Sequence, residues 1–203
     1  MTHATGSRVV RWSLLTMTGL AAGVLMALVL GEPIEAVVGM ILVTPALTLL
    51  VGAVLGTSQW LDVRHRVARS RSWIPATCLG LGAGLALGAV IVEVTGGLIT
   101  GEQLSIMRLG TGTRALSLLV LGLTAGLCMG AAQWLAVLRR HGSPASRWIG
   151  ISSLALGLSF SASSLLVDAL LGGLASPVGV VSLLLLTGLF FGAGTARALP
   201  KAA

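Results

Sequence analysis

Residues 72–93, SWIPATCLGLGAGLALGAVIVE, decide the fold. Trp73 stands near one end, Glu93 twenty positions later, and between them Gly80, Gly84 and Gly88 recur at every fourth residue. At about 1.5 Å of rise per residue the step from Trp to acid is roughly 30 Å, the thickness of bilayer hydrocarbon. The same frame recurs on both sides: Trp12 leads to Glu32 and Trp148 to Asp168, and an arginine (Arg11, Arg71, Arg147) opens each unit.

Composition points the same way. The 203 residues are 55% hydrophobic and 9% charged, with a mean hydropathy of +0.99; a water-soluble domain of that make-up would expose large apolar patches. An integral membrane protein is expected, with the lipid bilayer as its surrounding. The formal charge of +7 does not point to nucleic acid, because the arginines fall in short groups between apolar runs. The first run follows Arg8 and Arg11 as in a signal sequence, but it is long enough to span and matches the later units, so it is expected to be retained. Cys78 and Cys128 fall inside apolar runs and are expected as small buried thiols.

Each unit continues past its acid into a second apolar helix. The expected class is all-α, a polytopic membrane protein of six transmembrane helices near 12–31, 37–60, 74–94, 114–138, 148–171 and 177–197. These form three parallel helix-hairpin repeats, about 8–66, 67–140 and 141–203, in a single transmembrane domain, 1–203. The second helices end in GTSQWLDV from Gly56, GAAQWLAV from Gly130 and GTARAL from Gly194, an alignment that equates Gln59, Gln133 and Arg197. Basic residues gather on one side: Arg8 and Arg11, the group Arg64, Arg66, Arg69 and Arg71, then Arg139, Arg140 and Arg147, and last Arg197 and Lys201. The other side holds Arg108 and Arg114 with Glu32, Glu35, Glu93, Glu102 and Asp168. The positive-inside rule then predicts that both termini are cytoplasmic.

Small residues four apart mark helix interfaces in lipid. The first helices carry Gly19, Gly23 and Ala27, then Gly80, Gly84 and Gly88, then Ala155, Ser159 and Ser163. Among the second helices, Gly52 and Gly56 match Gly126 and Gly130, Gly122 extends the fourth helix's stripe, and the sixth offers Gly188, Gly192 and Ala196. This predicts a tight bundle without a wide pore. Glu32, Pro33 and Glu35 are expected to open the second helix, and Ser176 with Pro177 the sixth. Pro45 should kink the second helix, with Thr44 and Thr48 at hand for freed backbone groups. The apolar segment 95–114 is expected to lie on the interface or against the bundle.

Three sets of residues are candidates for function. Glu32, Glu93 and Asp168 would form an acidic ring, either a cation-attracting vestibule or, more plainly, polar markers ending each span. Ser161, Ser164 and Asp168 lie on one stripe of the fifth helix, which could line a hydrated path but reads first as packing. Trp12, Trp73 and Trp148, and the pairs Gln59-Trp60 and Gln133-Trp134, are expected at the interfacial belt where indoles lodge; Gln59 and Gln133 could instead hydrogen-bond across the bundle, the less favoured reading. His3, His65 and His141 lack metal-ligand spacing, and no nucleophile elbow, P-loop or dinucleotide fingerprint is present. Neither an enzyme nor a cofactor or metal site is expected.

The recurring G-x-x-Q-W-L at a helix end, a basic loop and W-I opening the next span, at residues 56–74 and 130–149, resembles uncharacterised multi-pass membrane proteins of bacteria. That resemblance implies topology and a bacterial cytoplasmic membrane, and no activity. The expected function is a non-catalytic membrane module or complex subunit, with a homo-oligomer or another membrane protein as partner. The alternative is a small oligomeric channel or transporter for cations or protons.

Overall fold

A computed structural model describes residues 3–65, 67, 70–100, 109–141, 144–172, 177–196 and 198–199. Arg66, Arg69, Glu102, Arg108, Ser176, Arg197 and Lys201, with the middle of the 95–114 segment, lie outside the described residues. Among those described, the chain is helical, with no strand. Six helices follow in order: α1 (His3–Val38), α2 (Met40–Val63), α3 (Trp73–Thr100), α4 (Thr111–Ala136), α5 (Ala145–Leu171) and α6 (Pro177–Ala196). Each contains a stretch long and apolar enough to cross a membrane.

The first turn is tighter than the sequence predicts. Glu32, Pro33 and Glu35 do not open α2; they belong to the last two turns of α1, which ends at Val38. Proline inside a helix removes a backbone hydrogen bond and crowds the preceding turn, yet Pro33 is exposed and leaves the ring free on the outside. The whole connection is Gly39, with φ 78° and ψ 165°, a conformation nearly closed to residues with a Cβ. Its N–H donates to the Glu35 carbonyl at 2.8 Å and its own carbonyl accepts from Val43 at 3.1 Å, so one residue serves both helix ends. At the end of α5, Gly172 takes the left-handed conformation at φ 70°, a common helix terminus.

The six helices close a ring. Each packs on the helix before and after it, and α6 returns to pack on α1. Large apolar side chains face outward on every helix, among them Leu28, Leu42, Leu79, Leu116, Leu170 and Val178. Between neighbours, glycine lets backbones meet. A Cβ added at Gly80 would lie 2.5 Å from Met129 Cα, one at Gly52 2.7 Å from Cys78 Cα, and one at Gly188 2.5 Å from Met17 Cα. Gly19 and Gly23 face α2, Gly84 and Gly88 face α4, and Gly122, Gly126 and Gly130 face α5. Such close contacts gain dispersion energy along the whole seam.

Gly84→Ala is expected to destabilise the bundle by about 1–3 kcal/mol, the usual cost of overpacking, because its new methyl would collide with the α4 backbone at Thr124 and Ala125. Gly150→Ala, with open space around it, should leave stability unchanged or slightly raised. Unfolding in mixed micelles checks both.

Candidate functional site

The interior at the terminal end of the bundle is aromatic and polar together. Trp12, Trp73 and Trp148, expected in an outer belt, are instead inside, at 1%, 0% and 2% exposure. Trp73 stands edge-on to both others, with ring centroids 6.2 Å from Trp12 and 5.7 Å from Trp148. Val63, Val67, Val137, Leu138, Ala196 and Leu199 complete this cluster. The belt expectation fails because each indole N–H finds an acceptor within the protein and needs no interfacial water.

Those acceptors link the helices. Trp73 donates to Gln59 Oε1 at 3.1 Å, and the Gln59 amide donates to the Thr16 hydroxyl at 3.5 Å. Trp148 donates to Gln133 Oε1 at 3.3 Å, and the Gln133 amide donates to the Thr77 hydroxyl at 2.9 Å. Each glutamine therefore ties the threonine four residues after one tryptophan of the cluster to the next member of that cluster, Thr16 to Trp73 and Thr77 to Trp148. Gln59 and Gln133, also expected at the belt, are both 1% exposed. Trp60 and Trp134 are half-buried; the Trp60 indole donates to Ser70 Oγ at 3.0 Å, and the Arg64 guanidinium lies 5.4 Å from its ring centre.

The third link corrects the sequence alignment. Trp12 donates to the Thr195 hydroxyl at 2.9 Å, and Arg197, equated above with the glutamines, lies outside the described residues. The glycines fix the register. Gly56 approaches Ile74 and Thr77, Gly130 approaches Ile149 and Ser152, and the residue that approaches Ser13 and Thr16 in the same way is Gly192, not Gly194. Three residues beyond each stands Gln59, Gln133 or Thr195. The alignment on Gly194 is two residues late, misled by a second glycine at nearly the right place. Threonine is shorter than glutamine, and the bridge it would complete is absent: the Ser152 hydroxyl, at the position matching Thr16 and Thr77, is fully buried without a partner in the protein.

At the far end the acids are not equivalent. Glu32 and Glu93 are exposed, whereas Asp168 is paired with Arg114 of α4, both side chains about nine-tenths buried. Arg114 also donates to the Leu109 carbonyl at 3.4 Å. No basic residue precedes or follows Asp168 in its apolar run; its partner comes from 54 positions upstream. Of the stripe above it, Ser164 is fully buried and Ser161 half-buried. Elsewhere on α5, Ser153 bonds the Leu123 carbonyl at 2.8 Å and Ser159 its own Ala155 carbonyl.

Participants not singled out in the sequence include Thr16, Thr77, Ser152, Thr195, Ser70 and Asp62. The first three share a legible signal, a hydroxyl four residues after Trp12, Trp73 and Trp148. Asp62 has none beyond being a carboxylate in a basic region; it pairs with Arg11 at 3.3 Å with its side chain 1% exposed. Cys78 and Cys128 are free thiols, partly buried. Among the described residues no three His, Cys, Asp or Glu side chains converge as metal ligands.

Comparison with known proteins gave no match to a family model, a curated protein or a solved structure.

Gln133→Leu strands the buried Trp148 N–H and is expected to cost about 1–3 kcal/mol, read by unfolding and by a shift in tryptophan emission. Asp168→Leu leaves Arg114 buried without its counter-charge, at an expected cost of about 3–5 kcal/mol. The double variant Arg114→Leu with Asp168→Leu should recover most of that loss, since it removes both charges; failure to recover would mean that the pair is not what holds this end.

Proposed function

We propose that this chain is a multi-pass membrane protein built of three parallel helix hairpins, acting as a non-catalytic, non-transporting module that serves a partner in the same membrane. The observation that carries the reading is the tryptophan cluster: three indoles, Trp73 edge-on to both Trp12 and Trp148, occupy the interior of the ring at one end. An ion crossing along the axis would have to displace them and break the hydrogen bonds that hold them. The neutralised pair at the other end supports the same view, because Asp168 bound to Arg114 offers no free charge to a cation.

Matched contacts support the repeat. Gly80 meets Met129 and Gly84 meets Ala125 as Gly19 meets Leu55 and Gly23 meets Val51. With the corrected register, Leu55, Met129 and Phe191 take equivalent places, and all three lie in one core cluster. The arginine groups at the terminal end support a cytoplasmic placement of both termini in a bacterial membrane. They also make that face the natural docking surface for a partner or for a second copy of the chain.

Vesicles carrying the wild-type protein are expected to hold proton and potassium gradients as long as protein-free vesicles. Flux above that background that disappears in the Arg114→Leu, Asp168→Leu variant would overturn the reading in favour of a small channel. Native mass spectrometry after gentle extraction should show a stoichiometric second protein or a defined homo-oligomer; isolated single copies would count against a module serving a partner.

A further inference from the structure

Between the two polar ends the ring contains a cavity of about 240 Å³. Leu20, Val51, Leu81, Leu85, Phe160 and Leu184, from five helices, form most of its wall. Its polar lining is limited to Thr44 and Thr48, and Thr48 already donates to the Thr44 carbonyl at 2.9 Å. Water held in such a space needs two to four hydrogen-bond partners, whereas apolar cavities stay dry and take up apolar molecules.

The cavity is not sealed. On its side runs a groove of about 590 Å³ between α2 and α3, and the two share Thr44, Thr48 and Leu85. Leu49 and Leu79, both strongly exposed, flank this groove.

The opening has a cause in the sequence. Where α4 meets α5, a Cβ on Gly122 would come 2.7 Å from Gly157 Cα, so that seam is shut. The matched residues on α2 and α3 are Thr48 and Gly82. A Cβ on Gly82 would find its nearest neighbours, side-chain atoms of Leu49 and Thr48, only at 3.7 and 3.9 Å. Thr48 in place of glycine holds the two backbones apart. Pro45, inside α2, further weakens that helix's own hydrogen bonding at this level; the matched positions in α4 and α6 are Leu119 and Val181.

We propose that one hydrocarbon chain of a membrane lipid enters between α2 and α3, passes Thr48 and Leu85, and ends in the interior cavity against Leu81 and Leu184. The inference rests on the membrane reading above. The occupant follows from the site: a wall that is apolar but for Thr44 and Thr48, a mouth flanked by exposed leucines at mid-helix, and an inner volume below the roughly 300–1,000 Å³ of pockets for drug-sized ligands, which suits a single chain better than a ring system.

The test uses the full chain in vesicles of phosphatidylcholine with a diazirine at the end of one acyl chain, irradiated and mapped by mass spectrometry. Label is expected on Leu81 or Leu184, both buried, as well as on exposed Leu79. Filling the passage by Leu85→Trp, or by Thr48→Phe should the first fail to fold, is expected to abolish the interior label and leave that on Leu79. Label on Leu79 with none on Leu81 or Leu184 in the wild type would overturn the lipid site and leave the membrane reading standing. Interior label that persists in the filled variant would overturn the proposed route. Label on none of the three would overturn the membrane reading, and the site with it.

Discussion

A buried indole N–H must have an acceptor, and in this protein that requirement sets the relation of one helix to the next. Leaving such a donor unpaired inside an apolar bundle costs more than the finished bond contributes. Glutamine answers the need with an acceptor and a donor on one planar group. Gln59 and Gln133 use the first on a tryptophan and the second on a threonine, each from a different helix. A slip of a single residue in either helix would turn the amide away from both partners, so these bonds fix rotation and height together.

Glycine sets how near the helices come, and the polar links set where along their length they stop. The two act at the same seams. Gly56 and Gly130 lie three residues before the glutamines, and Gly192 three before Thr195, so close approach carries the polar group to its partner. Along the first helices, Leu20, Leu81 and Leu156 then meet in one core cluster, with Val24, Leu85 and Phe160 against it. The change from Val to Phe at matched positions, and from Gly122 to Thr48 on the partner helices, lets a nearly regular ring hold an off-centre cavity.

Much of the architecture was legible in the sequence, and for physical reasons. Helix number follows from apolar length, and the interfaces from glycine at every fourth position, because both are local signals. What was not legible depends on which way a side chain turns. Tryptophan near a span end reads as an interfacial anchor until Thr16 and Thr77, one helical turn farther along, are seen as part of a polar set. Asp168 looked unpartnered because Arg114 lies on another helix, and no spacing rule connects the two. The sixth helix misled for a different reason: GAGTARAL contains two glycines, Gly192 and Gly194, and only their contacts distinguish them. Pro33 likewise carries a helix-start signal, but the positive φ of Gly39 moves the break beyond it.

The lone hydroxyl of Ser152 gives the ring an uneven strength. It is not isolated: Ser13 of α1, Ser163 and Ser164 of α5 and Thr187 of α6 are also buried hydroxyls without partners in the protein, and all stand on the three consecutive helices α5, α6 and α1. The two seams bridged by glutamine are cross-braced, while the arc through α6 is held, among the described residues, by packing, by the bond from Trp12 to Thr195 and by the Arg8 guanidinium, which donates to the Leu199 carbonyl just past α6 at 2.9 Å. Local opening starts where the fewest bonds must break at once. The barrel therefore has one stave with fewer cross-braces than the rest, and α6 is that stave: its amides are expected to exchange with solvent deuterium before those of its neighbours.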